Sequence, residues 1–145
     1  MEWMNAADRA RATDADMREH ISPWSEGGRK IPSPDGRLWA MVGDAAEFQM
    51  GGPMVGTLLL SDGTREDLCG VSLVWSDDSR YLAVPRLDPV KPAFEVLVMR
   101  VADGVRRTAP GSFGPIGLVE FREGVLTLVQ GDRESSVDLS HIQWS

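Results

Sequence analysis

Two short stretches, Ser33-Pro-Asp-Gly-Arg37 and Ser76-Asp-Asp-Ser-Arg80, lie 43 residues apart. Each leads into an apolar run, Leu38-Trp39-Ala40-Met41-Val42 in the first case and Tyr81-Leu82-Ala83-Val84 in the second. Each is followed by a second apolar run that ends in Asp-Gly, at Asp62-Gly63 and Asp103-Gly104. Ser and Asp side chains in such turns hydrogen-bond nearby backbone and so set where the next strand begins. A repeat at fixed spacing constrains the fold more than any total, because it asks for the same supersecondary unit more than once. A third, degraded unit starts within Phe-Arg-Glu-Gly-Val-Leu-Thr-Leu-Val, residues 121–129. There Glu123-Gly124 stands where Asp35-Gly36 would be, and the arginine is missing.

From Leu38 onward the chain is a series of short β-type runs split by turn signals. Asp-Gly between apolar runs is a strong hairpin cue, since both central residues tolerate positive φ. Several runs, such as Thr57-Leu-Leu-Leu60 and Val96-Leu-Val-Met99, are apolar on both faces. Strands of that kind need cover on both faces. The expected fold is mainly β, an antiparallel meander or sandwich of hairpins, in one domain spanning 1–145.

The pattern W-S-D/P-D-G/S-R-x-L-A-V, over residues 32–130, resembles the strand-turn-strand segment of WD-repeat-like β-propeller blades. The resemblance implies two to two-and-a-half blade-like units, each of the ~40–45 residues that a four-stranded blade takes. Closed propellers use 4–8 blades. Three arrangements follow: assembly of several chains into a ring, a fragment, or a compact sandwich with an N-terminal helix capping an edge. The last is the favoured expectation. Residues 131–145 are read as a C-terminal hairpin or tail.

Residues 1–22 differ in texture. They contain no Gly or Pro, and Trp3, Met4, Ala7 and Ala10, then Met17 and Ile21, fall at helical spacing. Thr13 with Asp16 resembles an N-cap arrangement. This predicts a short helical segment over 1–22, ended by the Pro- and Gly-rich stretch from Pro23 to Pro34.

The formal charge is −7, from 15 Lys and Arg against 22 Asp and Glu. That sign repels nucleic acid and anionic membrane and favours a basic partner. The start lacks the pattern of a secretory signal, and no run approaches the ~18 apolar residues of a membrane span, so the expected location is cytoplasmic. Cys69 has no second cysteine to pair with and reads as a small buried hydrophobe.

Signatures of chemistry are sparse. The two histidines, His20 and His141, lack metal-ligand spacing. No nucleophile elbow, phosphate loop or dinucleotide fingerprint occurs. Asp35, Asp77 and Asp78 sit inside the repeated turns, where turn chemistry accounts for them. The expectation is a non-enzyme with no cofactor and no metal. The unusual segment is 43–56, which puts Phe48, Met50 and Met54 around Gly51-Gly52-Pro53, with Asp44 and Glu47 beside them. Aromatic and methionine side chains next to flexible glycines suit an adaptable binding surface. The 86–94 loop, with Asp88, occupies the matching place in the second unit. Asp44, Glu47, Phe48, Met50, Met54, Asp77 and Asp88 are therefore the expected partner-binding residues.

The resemblance extends to small bacterial proteins with such segments, some of which are similar to immunity proteins. It implies an inhibitor of a basic effector toxin. The alternative is a propeller-like piece that assembles with its own copies.

Overall fold

The computed structural model describes residues 20–144. Eleven strands occur among them: β1 (Ile31–Pro32), β2 (Trp39–Glu47), β3 (Met54–Leu60), β4 (Arg65–Gly70), β5 (Val74–Trp75), β6 (Tyr81–Asp88), β7 (Ala93–Arg100), β8 (Val105–Thr108), β9 (Gly117–Arg122), β10 (Val125–Gln130) and β11 (Arg133–Asp138). All strand pairings are antiparallel, and the protein is mainly β. The helical segment expected over 1–22 falls outside the described residues, except for residues 20–22, which are not helical. Pro23 disfavours the α conformation just before it, and Ser22 instead accepts a turn bond from the Ser25 N–H at 3.0 Å. No helix occurs among the described residues.

The strands run as three meanders. β1–β2–β3–β4 form the first, β5–β6–β7–β8 the second and β9–β10–β11 the third. A single pairing, Cys69 with Arg86, joins the first two into one sheet.

The repeated turns are built alike. In the first, the Ser33 hydroxyl donates to Asp35 Oδ1 at 2.7 Å, and the Arg37 N–H donates to the same oxygen at 3.0 Å. In the second, Ser76 and Arg80 do the same to Asp78, at the same two distances. The fourth turn position is left-handed in both, at Gly36 (φ 73°) and Ser79 (φ 65°). Glycine takes that conformation freely, whereas serine bears a steric cost of about 1 kcal/mol. Ser79 recovers part of it, because its hydroxyl accepts the Asp35 N–H at 2.9 Å and so ties the two turns together.

The bonds made by the turn hold Asp35 below the ordinary carboxyl value of 3.8, chiefly through the Arg37 N–H and then the Ser33 hydroxyl. Asp103 is held low by the Arg100 guanidinium, and Asp62 by Thr64. A carboxyl whose folded pKa is depressed contributes stability above its unfolded value and loses it as pH falls through the folded one. The urea midpoint should therefore be flat near neutrality and fall once the pH drops below 3.8. Asp35→Asn with Asp103→Asn should flatten that fall.

The meanders stack face to face. Ala40, Val42, Leu58 and Leu60 of the first pack against Leu82, Val84, Leu97 and Met99 of the second. On its other face the second meander places Ala83, Val96 and Val98 against Leu118, Phe121, Leu126 and Leu128 of the third. This is why Val96-Leu-Val-Met99 is apolar throughout: successive side chains enter opposite layers. Each large aliphatic buried in this way is worth about 1.5–3 kcal/mol.

Candidate functional site

Strand register decides which loops share an edge. Met54 pairs with Glu47, Val55 with Gly70, Cys69 with Arg86, and Asp88 with Ala93. The 48–53 and 89–92 connections therefore project from the same edge of the sheet. The repeated turns, with Asp35, Asp77 and Asp78, lie on the opposite edge.

At the first tip Met50 is 100% exposed, and at the second Val90 is 88% exposed. Their backbones are fixed all the same. The Phe48 N–H donates to Pro53 O at 3.0 Å, and the Gly52 N–H to Gln49 O at 2.7 Å. Asp88 Oδ1 accepts the Val90 N–H at 3.0 Å, which shapes the second loop. Trp24, 55% exposed, joins the first tip: its indole N–H donates to Gly51 O at 3.2 Å, and Pro23 O accepts the Met54 N–H at 2.9 Å. Exposed aromatic and aliphatic groups on braced loops make a ready contact surface, because little entropy remains to be lost on binding. Asp44 and Glu47 are exposed beside them. Asp44 has φ 53° at a bulge in the β2–β3 pairing, which bends the strand before the tip.

The expected site residues thus divide. Asp44, Glu47, Phe48 and Met50 share the tip edge with Asp88, though Asp88 is half-buried and serves its own loop. Met54 packs against the core between the first two meanders. Asp77 is on the far edge, where its N–H donates to Phe121 O at 2.9 Å and its carboxylate accepts the Glu123 N–H at 3.3 Å. Trp24 and Val90 were not singled out from the sequence. Trp24 directly follows Pro23, and Val90 lies between Pro89 and Pro92, so no local pattern marks either.

Compared with protein-family models, curated proteins and solved structures, the chain matches none. The site has to be read from its own geometry.

Two other features bear on chemistry. Glu66, Arg86, Glu95 and Arg106 form a linked ion cluster on β4, β6, β7 and β8, with Arg106 Nε–Glu66 Oε1 at 2.6 Å and Arg86 Nη1–Glu66 Oε2 at 3.1 Å. Its charges balance, and it bridges the first two meanders. A cleft of about 530 Å³ lies along the inner strands, with Ile31, Leu73, Trp75 and Leu118 as apolar walls and Glu26 and Arg29 among its polar lining. No group of three or more His, Cys, Asp or Glu that could hold a metal occurs among the described residues. Burial pushes the Cys69 thiol up to about 12, so it is not poised as a nucleophile. No helix among the described residues is long and apolar enough to cross a membrane.

Proposed function

We propose that the chain is a non-catalytic protein-binding module whose partner docks on the tip edge formed by residues 48–53 and 89–92. The supporting observation is the pair Met50 and Val90, both almost wholly solvated at the ends of corresponding, internally braced loops. Trp24 widens the same surface. Asp44 and Glu47 supply an acidic flank, and with a net charge of −7 this favours a basic partner through faster encounter. The finer form of the proposal is an immunity protein that blocks a basic effector toxin: the binding surface is a protrusion suited to filling a partner's cleft.

The test pairs two variants in a pull-down with quantified stoichiometry. Apolar anchors at an interface centre are worth 2 kcal/mol or more, and each 1.4 kcal/mol is about tenfold. Met50→Asp with Val90→Asp should therefore weaken capture of a near-stoichiometric basic partner by about 100-fold or more. Melting should stay unchanged, since neither side chain is packed. Asp77→Ala, on the far edge, should leave capture intact. Retention by the double variant, or loss with Asp77→Ala alone, would sink the proposal.

A further inference from the structure

The first meander carries an apolar face that belongs to neither core cluster. On β2, Ala40 and Val42 point to the second meander, so Trp39 and Met41 point the other way. On β3, Leu58 and Leu60 point inward and Leu59 outward, directly paired with Met41. Gly43 extends the stripe without a side chain: a Cβ there would lie 3.6 Å from Met41 Cε and 3.9 Å from Leu59 Cδ1.

The same places in the second meander show what such a face does. Trp39 and Met41 correspond, 43 residues on, to Leu82 and Val84. Met41 pairs with Leu59 as Val84 pairs with Leu97. Leu82, Val84 and Leu97 are the residues that receive the neighbouring meander, and all three are buried. The outward face of the first meander, where Trp39, Met41 and Leu59 are half-buried, is thus chemically a stacking face with none of the described meanders on it.

From this we infer that two copies of the chain pair through this face, first meander against first meander, about a two-fold axis. A head-to-tail arrangement would use the outer face of the third meander instead. There Thr127 and Val129 are already buried, at 6% and 7% exposure, they are flanked on β11 by Ser136 and Glu134, and the His20 ring lies 2.7 Å from where a Cβ on Gly117 would sit. That face is polar along one strand and has His20 against it, so it does not match Trp39, Met41 and Leu59. A second copy of the first meander does match. Two-fold pairing uses one patch twice, the commonest way for soluble chains to associate. The rim is self-complementary as well. Lys30 Nζ sits 4.6 Å above the Trp39 ring and Arg65 lies beside Asp67, so each copy offers both signs of charge around the apolar stripe.

Light scattering on the eluted full-length chain should give twice the 15.9 kDa of one copy, and Met41→Asp should return it to one. Because Met41→Asp could also disturb the sheet, Thr57→Cys gives an independent reading. Thr57 faces outward beside Gly43 and Asp67, and Cys69 is fully buried. Under oxidising conditions Thr57→Cys should yield a disulfide-linked dimer, and Ser136→Cys, on the third meander, should not. A mass of one copy at the highest soluble concentration would overturn the inference. So would a mass that grows past two copies, or linkage through Ser136→Cys in place of Thr57→Cys.

Discussion

Leu97→Ala is expected to cost about 3–5 kcal/mol, in the upper part of the range for large-to-small core changes. Leu97 is 1% exposed on β7, in the layer between the first two meanders. The cost of such a truncation depends on how far the surroundings can collapse into the hole. Here they cannot collapse far. The neighbouring residues of the same strand, Val96 and Val98, are locked into the opposite layer against the third meander. Moving β7 toward the cavity would open a gap behind it. Denaturant unfolding should show a lower midpoint with an unchanged slope. Leu59→Ala is the matched control, with the same side chain at the corresponding position on a partly exposed face. At protein concentrations where the chain is a single copy, it should cost under about 1.5 kcal/mol.

Gly56→Ala should be nearly as severe, by the opposite route. A Cβ on Gly56 would lie 2.3 Å from Gly43 O and 2.9 Å from Ala45 Cα. These are backbone atoms, not flexible side-chain ends, so β2 itself would have to move. β2 is bulged at this point, between Gly43 and Ala46, and Asp44 is left-handed there. The missing side chain at residue 56 makes room for the bulge. Overpacking typically costs 1–3 kcal/mol, and a backbone clash belongs at the top of that range. Because the bulge leads into the 48–53 tip, Gly56→Ala should also disturb the Trp24 indole bond to Gly51. A shift in Trp fluorescence at unchanged denaturant slope would report it.

Much of the β architecture was legible because it depends on local chemistry. Ser33 with Asp35, and Ser76 with Asp78, spell out their turns within five residues. The uninterrupted apolar run on β7 required cover on two sides. What was not legible depends on pairing across the sheet. Asp77 and Asp44 look alike as exposed carboxylates near turns, yet strand direction sends them to opposite edges. Met54 follows a flexible Gly-Gly-Pro and resembles a surface methionine, but the bulge at Asp44 sets its register so that it faces the core. Trp24 lies between a proline and a glycine-rich stretch, and its tie to Gly51 spans 27 residues, which no local pattern encodes.

Several of the bonds that stitch one meander to the next span a similar distance along the chain. The Trp75 indole donates to Ile31 O, Asp77 N–H to Phe121 O, and Leu118 N–H to the Ser72 hydroxyl, over 44 to 46 residues. Among the described residues each meander therefore packs chiefly against its neighbours in the chain, which makes the protein close to a short one-dimensional stack. Its middle member cannot melt without exposing two interfaces, whereas either end can fray by giving up one. During synthesis, every meander would meet a finished template as it emerged, so growth could proceed by addition to a standing edge.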